Sequence, residues 1–148
     1  DIAQNAIDQI ARVAMDRDLP IEAVRVDANT PDPFSAMAFD LVTSHYGSIP
    51  RTPDRLGITN ILNAVAPGGT LLIVAHDPEP MRAQDDPNHP SRMFDPDAYT
   101  GIHEFVAVLT ESDQWRIERH EKVPRPPGAA TASHHVDDVV LRARRQFT

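Results

Sequence analysis

The chain has 148 residues, enough for a single domain with a real core. Its 14 Lys and Arg against 22 Asp and Glu give a net charge of -8. That balance argues against a general nucleic-acid or anionic-membrane binder, which needs a basic face. The sequence has no cysteine, which excludes disulfides and thiolate chemistry.

No apolar run approaches the roughly 20 residues of a membrane span, and no charged-then-apolar segment opens the chain. A soluble cytoplasmic protein acting on small molecules or other proteins is therefore expected. The chain holds 14 prolines. They gather in Pro78 to Pro96 and Pro124 to Pro127, where they mark loops.

Ile2, Ala3, Ala6, Ile7, Ile10, Ala11 and Ala14 fall near helical spacing, so residues 3 to about 17 predict an amphipathic helix that Pro20 stops. Asp1 stands immediately before that helix without a polar lead-in, and upstream residues are expected. Ile21 to Val26 predicts a strand closed by Asp27. Asn29-Thr30-Pro31-Asp32-Pro33 is a loop by composition. Ala38 to Thr43 then predicts a short buried strand, because an apolar run sits between a Pro-rich loop and Gly47 with Pro50. Thr43, Ser44, His45 and Tyr46 leave its carboxyl end in succession. In open parallel sheets ligands bind at that edge, so these four side chains form the leading site candidate.

Thr52 can cap a helix with Pro53 in its first turn and a buried face of Ile58, Ile61, Leu62 and Val65. Ala66-Pro67-Gly68-Gly69 is expected to end it. Thr70 to Ala75 is a continuous apolar run, predicting a strand covered on both faces, and the succession makes a parallel crossover unit. Residues 76–94 form a long polar, Pro-rich loop, a candidate lid. Residues 96 to 109 carry a helical pattern in Tyr99, Ile102, Phe105, Val106 and Leu109. Trp115 to Val123 and His134 to Arg144 predict two strands without a helix between them, hence an antiparallel ending to the sheet. No internal repeat is evident, and a single domain over 1–148 is expected.

Read in order, Asp1-Ile2 before a helix, Val24-Arg25-Val26-Asp27-Ala28, Phe39-Asp40-Leu41-Val42, and Leu62 through Pro67-Gly68-Gly69 to Ile73 resemble the later part of a class I methyltransferase that uses S-adenosylmethionine. The resemblance spans nearly the whole chain, and Pro-Gly-Gly before an apolar strand is its most telling piece. It implies an α/β, Rossmann-like, mostly parallel sheet with an antiparallel C-terminal strand pair, lacking its first strands here. It implies that Asp1, with Ile2 beside it, takes the ribose hydroxyls, a task for which a carboxylate has two acceptor oxygens. It implies that Asp27 takes the adenine amino group next to the Ala28 amide. Thr43 and Ser44 would border the methionine part of the cofactor. His45 would be the base, since an unperturbed imidazole exchanges its proton near neutral pH, and Tyr46 would pack over the acceptor or steady the sulfonium through its ring. Methyl transfer mainly needs the acceptor held in line and a base within reach, and a small-molecule acceptor is expected. Asp1 and Asp27 also fit a plainer role as turn or helix-capping aspartates.

The sequence departs from that family in one respect, since the glycine-rich turn after the family's first strand has no counterpart. The family's strand order is third, second, first, fourth, fifth, seventh, sixth. Without the first two, Ile21 to Val26 and Ala38 to Thr43 would lack neighbours and expose two edges. The chain is therefore expected to be a fragment that binds the cofactor poorly by itself, completed by an N-terminal segment or a complementary chain. The alternatives are a non-catalytic α/β binding or interaction domain and a nucleotide-dependent oxidoreductase, whose dinucleotide ribose Asp1 would serve equally well. His76, Asp77, His89, His103, His120, and His134-His135 with Asp137-Asp138 match no defined zinc spacing, so no metal is expected. His134 and Arg125 are candidate acceptor contacts, whereas Arg142, Arg144 and Arg145 read as a solvated strand end.

Overall fold

The computed structural model describes residues 1–79, 95–125 and 137–147. Helix α1 spans Gln4–Asp16, strand β1 Phe39–His45, helix α2 Leu56–Ala64 and strand β2 Val65–His76. A 3-10 turn at Pro96–Ala98 precedes helix α3, Ile102–Thr110, and strands β3, Trp115–Pro124, and β4, Asp137–Arg145, follow. The sheet is mixed, in the order β1-β2-β4-β3, with β1 and β2 parallel and β4 antiparallel to both its neighbours. That order is the fourth, fifth, seventh, sixth tail of the arrangement implied by the resemblance.

The register explains where the core lies. Leu71 stands opposite Ala143 and Ile73 opposite Leu141, so these side chains share one sheet face. They cluster with Ile58, Ile61 and Leu62 of α2 and with Ile102, Phe105 and Leu109 of α3. Leu71, Leu141 and Ala143 are fully buried. The other β2 face holds Thr70, Leu72 and Val74, all half-buried. The apolar run is therefore covered completely on one side only, which corrects the expectation of two covered faces.

Three further expectations change. Residues 21 to 26 join no ladder, because a strand exists only where a neighbour accepts its backbone hydrogen bonds. Their main-chain ties are the Ile21 amide donating to the Leu19 carbonyl at 2.8 Å and the Val26 amide donating to the Asp1 carbonyl at 3.0 Å. Helix α2 ends at Ala64 rather than at the glycines, and Val65 already begins β2. Gly68 still adopts a left-handed conformation, with φ at 76°, where an L side chain is strained and a Cβ would strike the Phe147 ring. The helical pattern at 96 to 109 divides at Gly101, whose amide donates to the Glu104 carboxylate at 3.0 Å and so opens α3.

The late arginines are paired rather than merely solvated. Arg142 Nε lies 3.0 Å from Glu118, Arg144 Nη1 donates to the Gly68 carbonyl at 2.8 Å, and Arg145 Nη1 to the Val65 carbonyl at 2.7 Å. Among the described residues, no helix is long and apolar enough to cross a membrane. Most of the lid expected at 76–94, residues 80–94, lies outside the described residues, as does His134.

Candidate functional site

One cleft of about 690 Å³ runs along the outer edge of β1, from Phe39 at its start to Tyr46 beyond its end. Asp1, Ile2, Asp27, Ala28, Thr43, Ser44, His45 and Tyr46 all line it. Its walls are otherwise largely apolar, with Val26, Phe34, Leu41, Ile49 and Ile61 among them, the composition expected of a small-molecule pocket.

Local hydrogen bonds assemble the acidic end. The Asp1 carbonyl accepts from the Val26 amide, and Arg25 Nε donates to the Ile2 carbonyl at 2.9 Å. These ties set residues 1–2 beside 25–27. Asp1 Oδ1 accepts from the Ala3 amide at 2.7 Å, at the entry to α1. Asp27 Oδ1 accepts from the Asn29 amide at 2.9 Å in a tight turn. The plainer roles of both aspartates are thus real, and each uses one carboxylate oxygen. The turn is in turn fixed to α2, where Asn60 Nδ2 donates to the carbonyls of Ala28 at 2.7 Å and Thr30 at 2.9 Å.

The opposite wall is held from α3. Arg51 pairs with Glu104 at 2.9 Å, the Arg51 amide donates to the Ala98 carbonyl at 2.9 Å, and the Thr100 amide donates to the Ile49 carbonyl at 2.8 Å. Burial opposes ionisation of Glu104, but the Arg51 guanidinium and the Gly101 amide outweigh it and hold the carboxyl below its usual range.

The corner at the end of β1 is where polar side chains converge. His45 is exposed, and its side chain has no hydrogen-bond partner among the described residues. Tyr46 adopts a left-handed backbone conformation, φ 53°, unusual for a bulky residue. Its hydroxyl donates to Asp138 Oδ2 at 2.8 Å, and Arg125 Nη2 donates to that hydroxyl at 3.3 Å. The ring stacks on His76 with centroids 4.4 Å apart, and the Arg125 guanidinium lies 5.3 Å from its centroid. The hydrogen bond to Asp138, then burial, raise the Tyr46 pKa, with Arg125 acting in the opposite direction.

Sequence reasoning weighed Asp138 and His76 only as metal-ligand candidates and did not bring them to this corner. The signal that could have found them is register. An antiparallel last strand must begin at the rim where β1 and β2 end, so Asp138 falls opposite His76. Among the described residues, no group of three His, Asp or Glu side chains is placed to share a metal ion.

No family model matches the sequence, and no curated protein matches it. Solved structures do. The N-methyltransferase NodS from Bradyrhizobium japonicum WM9 is similar over 99% of this chain and 71% of its own, with a TM-score of 0.64 at 16% identity. A SAM-dependent methyltransferase from Aquifex aeolicus is similar over 98% of this chain and 66% of its own, with a TM-score of 0.62 at 12% identity. The [4+2]-cyclase SpnF is similar over 99% of this chain and 64% of its own, with a TM-score of 0.66 at 17% identity. Together with the strand order, these likenesses show that the chain has the fold of the class I S-adenosylmethionine-dependent methyltransferases.

Proposed function

We propose that the protein binds S-adenosylmethionine in the β1 cleft and transfers its methyl group to a small-molecule acceptor. The observation that carries this reading is the gathering of Asp1, Asp27 and the Thr43 to Tyr46 corner on one cleft. The donor set fits the cofactor. The second carboxylate oxygens of Asp1 and Asp27 are available to ribose hydroxyls and to the adenine amino group, and the apolar side chains of Ile2 and Val26 offer an adenine ring its faces. When bound, the cofactor supplies an electrophilic methyl group. Thr43 and Ser44 border its amino-acid end, and the acceptor lies at the His45 and Tyr46 corner, held in line. NodS has also been solved with S-adenosyl-L-homocysteine, the product such a transfer leaves, at 16% identity.

The working protein also includes a strand beside β1. That edge has no ladder partner among the described residues, and Phe39 and Leu41 are exposed on β1. An upstream segment or a complementary chain carries it, and cofactor affinity depends on it, because it would form the cleft's missing wall.

Calorimetric titration with S-adenosylmethionine tests the reading. Binding that Asp27→Asn weakens about tenfold or more is expected, with no response to a nicotinamide dinucleotide. Preference for the dinucleotide overturns the reading in favour of an oxidoreductase. Binding of neither, by the chain with its β1-edge strand supplied, favours a non-catalytic interaction domain.

A further inference from the structure

We propose that Asn60 of α2 is a positioning residue for adenine recognition and acts through the Asp27 carboxylate, an assignment that rests on the methyltransferase reading above. Helix α2 carries Gly57, Asn60 and Ile61 at i, i+3 and i+4, hence on one face. Ile61 lines the cleft, whereas Asn60 does not. Asn60 Nδ2 instead donates to the carbonyls of Ala28 at 2.7 Å and Thr30 at 2.9 Å. Both amide hydrogens are thereby committed. The two acceptors also fix which end of the side chain is nitrogen, since an oxygen there would face two carbonyl oxygens.

The link to Asp27 runs through one peptide plane. The Ala28 carbonyl that Asn60 holds and the Asn29 amide belong to the same rigid unit, and that amide donates to Asp27 Oδ1 at 2.9 Å. Holding the plane therefore aims the carboxylate. The preceding plane is held as well, because the Thr30 amide and hydroxyl donate to the Asp27 carbonyl at 3.2 Å and 2.8 Å. It carries the Ala28 amide, which donates to no acceptor among the described residues and is free for a ligand. Asp27 and Thr30 are exposed, so bonds within the turn cannot by themselves orient it on the cleft. Asn60 ties it to the helix, and Asn29 Nδ2 ties it to the Pro50 carbonyl at 3.0 Å. Gly57 leaves room for this arrangement, since a Cβ there would meet Asn29 Oδ1 at 2.6 Å and Ile49 Cγ2 at 2.8 Å. A hydrogen bond from the adenine amino group depends on where the second Asp27 oxygen points, because such bonds weaken steeply with misalignment.

A double-mutant cycle separates this role from a plain structural tie. Asn60→Leu keeps the side chain's size and removes both donors. Calorimetry with S-adenosylmethionine, on the chain with its β1-edge strand supplied, is expected to show about a tenfold loss of affinity in Asn60→Leu. In the Asp27→Asn background, where the oriented contact is already lost, the same change is expected to cost less than about twofold. No loss in the single variant, or equal losses in both backgrounds, overturns the proposal. Reciprocity supplies a measurement that needs no change at position 60. Saturating S-adenosylmethionine is expected to slow hydrogen exchange of the Asn60 side-chain amide several-fold in the wild type, read by NMR, and much less in Asp27→Asn. Exchange that the ligand leaves unchanged, or slows equally in both proteins, overturns the proposal as well. Failure of the wild type to bind S-adenosylmethionine removes the methyltransferase reading and this assignment with it, whereas binding with additive losses overturns this assignment alone.

Discussion

Asp77 directly follows the last residue of β2 and shows how a single carboxylate can govern the behaviour of this rim in acid. It is 6% exposed and paired with the Lys122 ammonium. Burial alone would raise its pKa, but the Lys122 hydrogen bond and charge and the Glu79 amide prevail and lower it. A carboxyl group depressed in the folded state stabilises the fold fully above its unfolded value, about pH 4, and loses that contribution as pH falls through the folded value. Wild-type stability should therefore drop below about pH 4 more steeply than that of Asp77→Asn, as read by denaturant midpoints across the acid range. Equal slopes would show that the pair carries no linkage. Asp77 drew notice in the sequence only as a metal candidate, because Lys122 is 45 positions away and nothing local announces their pairing. The position of Thr43 to Tyr46 at a strand end, by contrast, was legible from the strand and loop chemistry around it, and these residues line the cleft.

At the scale of elements, β1 combines an inner ladder to β2 with an outer edge that has no ladder partner among the described residues. Leu41 is 58% exposed and Phe39 46%. Helix α1 buries Ile7 and Ala14 but leaves Ile10 and Val13 exposed. An open strand edge with apolar side chains recruits further strands. Leu41→Lys should therefore leave the helical circular dichroism unchanged while reducing self-association of the isolated chain, as measured by sedimentation. Unchanged association would locate the sticky surface elsewhere. The sequence announced β1, α2, β2 and the antiparallel pair to within a few residues at most boundaries, since their apolar runs are bounded by Pro and Gly. It misled at Ile21 to Val26, where β-favouring composition has no partner to pair with, and at Ala66 to Gly69, where turn residues sit inside a strand. Propensity is local, whereas a ladder is a property of two segments.

For the molecule as a whole, stability resides at the seam where β2 meets β4 under the two helices. Leu141 is fully buried there, opposite Ile73 and within reach of both helices' apolar faces. Leu141→Ala should cost about 2–5 kcal/mol, the range for large-to-small changes in a packed core. A loss below about 1 kcal/mol in urea unfolding would mean that the seam repacks freely. The placement of β4 between β2 and β3 has a consequence for synthesis. The ribosome delivers both flanks before the strand that joins them, so a nascent chain stalled ahead of residue 137 holds Trp115–Pro124 without a mate. Closure of the sheet then waits on translation through those last residues, and chaperone occupancy should be greatest during that interval.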